Sequence, residues 1–218
     1  MAGFVDGALA SARFRSPEGL LLSETLLYVA DTGNHVVRAI DLSSGSVSTI
    51  AGTPATLGYF GDDGPATAAL LYAPTAIARC PSGDLYVADT GNHRIRRIEA
   101  GSGNITTVLG DGVPASSGEG SPAWAFPVAE PRGLACDASG NLYVASSRTV
   151  RLLPADPDGV VDGSGPVLTI YGSSAEQGYP QNSTVSLTGL LGTGPDTLWL
   201  TDADTGLLLE LRRARIAP

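Results

Sequence analysis

The sequence predicts an all-β fold built from tandem copies of one unit. Residues 85–96 read as a strand, a polar turn and a second strand, and nearly the same residues occur at 27–38. Weaker copies begin at Leu142 and Leu198, which places the four anchor leucines 58, 57 and 56 residues apart. Self-similarity at a fixed period is typical of a repeat architecture. The 28 glycines and 15 prolines among 218 residues fit short strands joined by turns.

The best copy shows the plan of the repeat. Its segments 74–79, 85–88, 94–99 and 105–109 predict four antiparallel strands, separated by turns rich in Gly, Asn, Ser and Pro. A long connection rich in Gly, Pro and Ala then leads to the next copy. We expect one array through residues 1–218, with repeats of about 57 residues at 5–52, 61–110, 118–172 and 184–216.

The second strand of the repeat is apolar on both of its alternating sets of side chains. Leu85 and Val87 form one set, and Tyr86 and Ala88 form the other. A half-buried strand would alternate apolar and polar residues, so here both sheet faces are predicted to be covered. Small four-stranded sheets stacked face to face without covering helices indicate a β-propeller, here with four blades.

Residues 84–97 carry the pattern Asp-Leu-Tyr-Val-Ala-Asp-Thr-Gly-Asn-His-Arg-Ile-Arg-Arg, which resembles the NHL repeat. The resemblance extends along the chain with declining similarity. The third copy replaces the polar turn with Ser146, Ser147 and Arg148, and the fourth keeps Asp202, Thr205 and Gly206. Members of this family are usually six-bladed, so four repeats are a departure.

Two interpretations of the blade number follow. The chain forms a compact four-bladed ring, or it forms part of a larger propeller whose other blades come from a longer parent chain or a second copy. We favour the second interpretation, because unpaired strand edges and an uncovered blade face are a liability in a free-standing domain.

Composition restricts the classes of partner. The net charge of −9 makes nucleic acid an unfavourable partner, because that affinity rests on Lys and Arg neutralising phosphates. The clusters Arg94/Arg96/Arg97 and Arg212/Arg213/Arg215 are expected to be solvent-exposed. No run of about 20 apolar residues predicts membrane insertion. The compartment, cytoplasmic or secreted, is left open.

Two cysteines, Cys80 and Cys136, lie near corresponding positions of neighbouring repeats, where contact is conceivable. We expect two buried free thiols, because a free cysteine commonly acts as a small core residue.

The repeated turn contains Asp31 and His35 in the first copy and Asp89 and His93 in the second. These side chains could be metal ligands, but a fold-building turn is the favoured interpretation. On that interpretation the Asp caps the turn and the Gly-Asn pair supplies a positive φ.

The turns 32–35 and 90–93 and the connections 53–66 and 111–125 are predicted to emerge on one face, here called the loop face. Loops on a rigid scaffold are where recognition residues concentrate. Asp62 and Asp63 offer oxygen ligands for Ca²⁺, although the regular spacing of a calcium loop is absent and a solvated turn is favoured. The full set of binding candidates on this face is Tyr59, Phe60, Asp62, Asp63, Trp124, Phe126, His35 and His93.

We expect a non-catalytic interaction or scaffold module that binds a protein, peptide or glycan through the loop face. No catalytic residue and no metal ligand is predicted, and no cofactor is expected, with Ca²⁺ as the alternative. A second hypothesis is a metal-dependent lyase or hydrolase, since some propellers that resemble this family are amidating lyases with a zinc ion held by several histidines. This chain has two histidines. An RNA binder is a weaker third hypothesis.

Overall fold

A computed structural model describes residues 3–115, 122–147, 149–171, 187–194, 197–202 and 208–212. Among these residues the regular structure is β-strand with four short 3₁₀ turns, at Thr32–Asn34, Ala66–Ala68, Thr90–Asn92 and Ala123–Ala125. The strands are β1 (Gly7–Ala8), β2 (Leu20–Ser23), β3 (Leu26–Asp31), β4 (Val36–Asp41), β5 (Ser46–Ala51), β6 (Gly64–Pro65), β7 (Ala76–Arg79), β8 (Leu85–Asp89), β9 (Arg94–Ile98), β10 (Asn104–Leu109), β11 (Pro131–Cys136), β12 (Leu142–Ser146), β13 (Thr149–Leu153), β14 (Leu168–Tyr171), β15 (Leu187–Gly194), β16 (Thr197–Asp202) and β17 (Leu208–Arg212).

The strands form four consecutive antiparallel sheets, which we call blades 1 to 4. Their strand orders are β1-β5-β4-β3-β2, β6-β10-β9-β8-β7, β11-β12-β13-β14 and β15-β16-β17. The all-β propeller predicted from the sequence is therefore confirmed. Blades 1 and 2 differ from the predicted four strands because the connection before each contributes a short edge strand, β1 or β6, which pairs with the outermost strand.

The blades stack face to face through apolar side chains. Ala30, Val37 and Ala51 of blade 1 pack with Ile77 and Val87 of blade 2. The opposite face of blade 2 packs on blade 3 in the same manner, and β15 of blade 4 contacts β11 and β12 of blade 3. All five residues of β8 are buried, as are all five of β12, which follows from the apolar character of both faces of the second strand.

The cysteines correct one prediction. Cys80 and Cys136 form a disulfide with their Cα atoms 5.3 Å apart, so the expectation of free thiols was wrong. Cys80 directly follows β7 and Cys136 ends β11, the innermost strands of blades 2 and 3. Because neighbouring blades stack, the ends of these two strands meet, and the bond joins one blade to the next.

The arginines correct a second prediction. Arg96 is fully buried, and Arg94 and Arg97 are half-buried, so their expected solvent exposure was wrong. The reason is that β9 is a third strand enclosed by β10, and the connection before the blade covers it. The side chains of the second basic cluster, Arg212, Arg213 and Arg215, lie outside the part of the chain whose side chains are described.

Within the described residues, no helix is long and apolar enough to cross a membrane.

Candidate functional site

The polar turn of blade 2 is organised by the buried carboxylate of Asp89, at the end of β8. Its Oδ1 accepts a hydrogen bond from the backbone N–H of Tyr72, at 2.7 Å. Its Oδ2 accepts one from the Asn92 side chain at 2.8 Å and faces Arg96 Nη1 at 3.4 Å. One carboxylate thus ties together the incoming connection, the turn and the third strand.

The turn of blade 1 repeats these contacts. Asp31 Oδ1 accepts from the backbone N–H of Arg15 at 2.7 Å, and its Oδ2 accepts from Asn34 at 2.8 Å. The guanidinium of Arg38 lies 3.3 Å from the same oxygen. The repetition in two blades indicates a structural device and not a local accident.

Each turn also reaches the next blade. The hydroxyl of Thr90 donates a hydrogen bond to the carbonyl of Pro131 at 2.6 Å, at the start of blade 3. The Nδ1 atom of His93 accepts one from the backbone N–H of Glu130 at 3.1 Å. Blade 1 contacts blade 2 in the same way, from Thr32 to Pro74 at 2.6 Å and from Ala73 to His35 at 3.1 Å. We call this Thr and His pair the inter-blade clamp.

The local geometry of the turn differs from the sequence expectation. Asp89 makes no capping bond within its own turn, because its acceptors serve the connection and the side chains. The residues with positive φ are His35 and His93, at 61° and 54°, and not the Gly-Asn pair. Gly91 is required for close approach, since a Cβ there would lie 2.6 Å from the Tyr72 ring.

Arg96 is the centre of a buried network that includes two predicted loop-face residues. Its Nη2 lies 2.6 Å from Asp62 Oδ1. The hydroxyls of Tyr59 and Thr107 donate to Asp62 Oδ2, at 2.7 and 2.8 Å. The Arg96 guanidinium also lies over the Tyr59 ring, 5.0 Å from its centroid. Asp62 is therefore bound to the protein itself and does not act as a free loop carboxylate.

The same stacking of an arginine on an aromatic ring occurs in the neighbouring blades. In blade 1, Arg38 pairs with Asp6 at 2.6 Å and lies 4.2 Å from the centroid of Phe14. In blade 3, Arg151 lies 4.8 Å from the centroid of Phe126. Such cation–π contacts add to packing when the cation is desolvated. In blades 1, 2 and 3 an aromatic residue of the connection covers the arginine of the third strand.

The two carboxyl groups next to Arg96 titrate differently. Burial raises the pKa of Asp89 to about 6, against the lowering effect of its hydrogen bonds from Asn92 and Tyr72 and of the Arg96 charge. Burial also raises the pKa of Asp62, but the Arg96 charge and hydrogen bonds from two hydroxyls outweigh it, so that pKa is lowered. The more deeply buried carboxylate is thus the one that is harder to ionise.

Burial, and then the nearby charge of Arg15, lower the pKa of His35. A neutral imidazole is what the clamp requires, since the Nδ1 of His35 acts as an acceptor for the backbone N–H of Ala73.

A shallow hollow of about 390 Å³ opens next to this network. Its rim carries the exposed Tyr59 and Trp124, the exposed carboxylates of Asp63 and Asp111, and the half-buried Arg94. We call these five residues the Tyr59–Trp124 surface. Arg94 lies 3.7 Å from the Tyr59 ring centroid and donates to the Asp111 carbonyl at 2.6 Å. The other lining residues are Asp62, Thr106, Thr107 and Gly110.

The structure brings only some of the predicted site residues together. Phe60 is exposed, but it lies on an adjoining hollow. Phe126 is only 3% exposed and covers Arg151, so its expected exposure was wrong. His35 and His93 belong to the inter-blade clamp. Arg94 was not among the predicted site residues, because the arginines of β9 were expected to form a solvent-exposed cluster.

In the portion of the chain that the structure describes, no three side chains of His, Cys, Asp or Glu are grouped so that they could hold a metal ion.

Comparison with known proteins identifies the repeat. The family model for the NHL repeat matches residues 71–98. The chain is 32% identical over 141 residues to "Protein SUPPRESSOR OF QUENCHING 1, chloroplastic" of Arabidopsis thaliana, covering 62% of this chain and 13% of that protein. It is 35% identical over 155 residues to "NHL repeat-containing protein 2" of Gallus gallus, covering 66% of this chain and 21% of that one. It therefore spans less than a quarter of either relative.

A solved structure shows the fold over almost the whole chain. The streptogramin B lyase structure superposes on 98% of this chain and 59% of its own, with a TM-score of 0.55 and 16% identity. At that identity the likeness concerns the fold alone. The resemblance predicted from residues 84–97 is thus confirmed: residues 71–98 match the NHL repeat, and the chain has an all-β propeller fold.

Proposed function

We propose that this propeller is an interaction module that binds a protein or peptide segment through the Tyr59–Trp124 surface. The observation that carries the proposal is the exposed indole of Trp124 beside two exposed carboxylates, Asp63 and Asp111, on the rim of one hollow. Exposed aromatic residues in a concave site are the usual anchors of protein recognition. The match of residues 71–98 to the NHL repeat supports a protein-interaction scaffold in general.

The charges of the surface favour a basic partner segment. Arg94 is already engaged by the Asn92 and Asp111 carbonyls. Asp63 and one oxygen of Asp111 face solvent, and the net charge of the whole chain is −9. A Lys or Arg side chain can stack on an indole while pairing with a carboxylate. We therefore propose a peptide with at least one basic residue as the ligand class.

The rigidity of the scaffold supports this proposal. Tyr59 is held by its hydrogen bond to Asp62 and by the guanidinium of Arg94. The main-chain N–H of Trp124 donates a hydrogen bond to the Gly163 carbonyl at 3.3 Å, which holds the backbone that carries the indole. A ring and a backbone that are held before binding reduce the entropy lost on association.

The metal-dependent and RNA-binding hypotheses gain no comparable support from the described residues. The histidines use their Nδ1 atoms as acceptors for backbone N–H groups. Arg96, at the centre of the basic cluster on β9, is buried between two carboxylates.

The test is a selection of peptides from a random library displayed on phage, with the intact chain as bait. Enrichment of sequences with Lys or Arg is expected. Trp124→Ala should lower the affinity for a selected peptide by about 30-fold or more, the usual effect of truncating a hot-spot residue. Asp63→Asn should lower that affinity by a smaller factor.

The matched control is Leu42→Ala, which removes an exposed apolar side chain from a turn of blade 1. It should leave affinity unchanged. Failure to enrich basic peptides, or peptides that bind Trp124→Ala as tightly as the wild type, would overturn the proposal.

A further inference from the structure

A second hollow of about 440 Å³ adjoins the Tyr59–Trp124 surface, and we call it the Phe60 hollow. It is lined by Tyr59, Phe60, Gly61, Asp62, Gly64, Pro65 and Ala68. Tyr59 and Asp62 also line the first hollow, so the two hollows share a wall. A peptide bound at the first hollow therefore has the Phe60 hollow directly beside it.

The lining of the Phe60 hollow offers a ligand no unengaged charge. Asp62 is the one charged residue in that lining. Its Oδ1 pairs with Arg96 at 2.6 Å, and its Oδ2 accepts hydrogen bonds from Tyr59 and Thr107 at 2.7 and 2.8 Å. The rest of the lining consists of aromatic rings, glycines, a proline and an alanine. This lining favours an apolar side chain, because a charged group placed there would lose water without gaining a partner.

Phe60 is presented to solvent on a backbone that is held in place. It is 71% exposed, more than any other large apolar side chain among the described residues. Its carbonyl accepts a hydrogen bond from the Leu70 N–H at 3.1 Å. The next residue, Gly61, packs so closely that a Cβ there would lie 2.7 Å from the Ala69 Cα. With the exposed ring of Tyr59 beside it, Phe60 forms an aromatic pair of the kind that anchors a binding partner.

Blade 1 shows that the repeat itself does not require an aromatic ring at this position. Asp6 and Asp62 are equivalent, since each pairs with the third-strand arginine of its blade. Val5 and Phe60 each form an antiparallel β-bridge just before that carboxylate, so Val5 corresponds to Phe60. Gly61 has no counterpart between Val5 and Asp6. Because a valine is sufficient for the bridge, the exposed ring is a feature of blade 2, next to the candidate site.

We propose that the two hollows bind one peptide segment, with a basic residue at the Tyr59–Trp124 surface and a large apolar residue in the Phe60 hollow. This assignment, which rests on the proposed function, makes Phe60 the residue that selects the apolar side chain. The site is complementary to such a segment, because the first hollow carries exposed carboxylates and the second carries no unengaged charge. Side chains two positions apart in an extended peptide point the same way, about 7 Å apart. We therefore expect one residue between the basic and the apolar positions.

The test uses the intact chain and two variants as bait in the same phage selection. The wild type should enrich a large apolar residue two positions from Lys or Arg. Phe60→Ala should keep the preference for Lys or Arg and lose the preference for the apolar residue. Ala68→Glu places a carboxylate at an exposed position of the Phe60 hollow. With that variant, the preference at the apolar position should change to Lys or Arg.

The affinity of one selected peptide separates a direct contact from a general loosening of the fold. Phe60→Ala should lower this affinity about 10-fold. Replacing the apolar residue of the peptide with alanine should lower it by a similar factor, and Phe60→Ala should then have no further effect. The matched control is Val5→Ala, which truncates the corresponding exposed side chain of blade 1 and should leave the affinity unchanged.

Two results would overturn this inference and leave the proposed function standing. One is enrichment of basic residues without an apolar preference, or with an apolar preference that Phe60→Ala and Ala68→Glu leave unchanged. The other is an equal effect of Phe60→Ala on the selected peptide and on its alanine variant. A selection that enriches no basic residues would overturn the proposed function, and this inference with it.

Discussion

Blades 2 and 3 join their second and third strands with different chemistry. In blade 2 the carboxylate of Asp89 joins the connection, the turn and Arg96. In blade 3 Ser146 stands at that position, and its hydroxyl lies 3.1 Å from the hydroxyl of Thr149. Both blades nevertheless stack the arginine of the third strand on an aromatic residue of the connection. The stacking is the shared feature, and in blade 2 the ion pair between Arg96 and Asp62 also ties the connection to the sheet.

The largest effect should come from giving blade 2 the residue of blade 3. Asp89→Ser removes the acceptor for the Tyr72 N–H and for Asn92, and it takes away one of the two carboxylates that pair with Arg96. Breaking a buried pair of this kind costs about 3–5 kcal/mol. The free energy of unfolding in urea should fall accordingly. Ser146→Ala, the matched change in blade 3, should cost about 1 kcal/mol, and equal costs would contradict the account.

The disulfide should have the next largest effect. Replacing Cys80 and Cys136 together with serine should lower the free energy of unfolding by about 2–4 kcal/mol. At the junction of blades 1 and 2, the corresponding contact is an exposed hydrogen bond from Arg79 to Ser23, at 2.7 Å. Ser23→Ala should therefore change stability by less than about 0.5 kcal/mol. A reductant should bring the wild type to the stability of the double variant, and a wild type insensitive to reduction would contradict this.

The inter-blade clamp should have a smaller, local effect. Thr90→Val keeps the shape of the side chain and removes its hydrogen bonds to the Pro131 carbonyl and the Thr75 hydroxyl, both at 2.6 Å. Leaving these buried groups without a partner should cost about 1–3 kcal/mol. Thr32→Val should cost a similar amount at the junction of blades 1 and 2. Unfolding in urea measures the free energy of unfolding of both variants. If neither variant is less stable than the wild type, the Thr residues do not hold the blades together.

The raised pKa of Asp89 should appear as a dependence of stability on pH. With a folded pKa of about 6, Asp89 binds a proton in the folded chain at pH values where the unfolded chain has lost it. Its contribution to stability is therefore fully present below about pH 4 and falls as the pH rises to about 6. The difference in unfolding free energy between wild type and Asp89→Asn should decrease over that range. If the difference in unfolding free energy instead increased with pH, the pKa of Asp89 would be lowered in the folded chain and not raised.

The array of strands could be predicted because it depends on local and periodic features. The recurring Leu-Tyr-Val-Ala run, apolar on both faces, marks a strand that is covered on both sides, and the polar turn after it marks its end. The burial of Arg96 could not be predicted, because its partner Asp62 lies 34 residues earlier on a connection. Arginines that alternate with isoleucines along a strand are typical of a solvent-exposed face. Here the folded connection covers that face, which the pattern alone does not indicate.

The candidate site was predictable to a similar degree. The inference that turns and connections share one face leads to Tyr59, Asp63 and Trp124, which line one hollow. The same inference included Phe126 among the exposed residues. Phe126 is instead buried, because its ring packs on Arg151 of the third strand of its own blade. Arg94 was missed because its role depends on the ring of Tyr59, which lies over it only in the folded chain.

We infer that the repeated turn holds consecutive blades together, and amide hydrogen exchange can test this inference at single residues. The reporters are the N–H groups of Ala73 and Glu130, which donate to His35 and His93. Each of the variants His35→Ala and His93→Ala serves as the control for the other. We expect His35→Ala to speed exchange at Ala73 and to leave Glu130 protected, and His93→Ala to do the reverse. Unchanged exchange at both amides in both variants would show that the histidines do not hold the blades together.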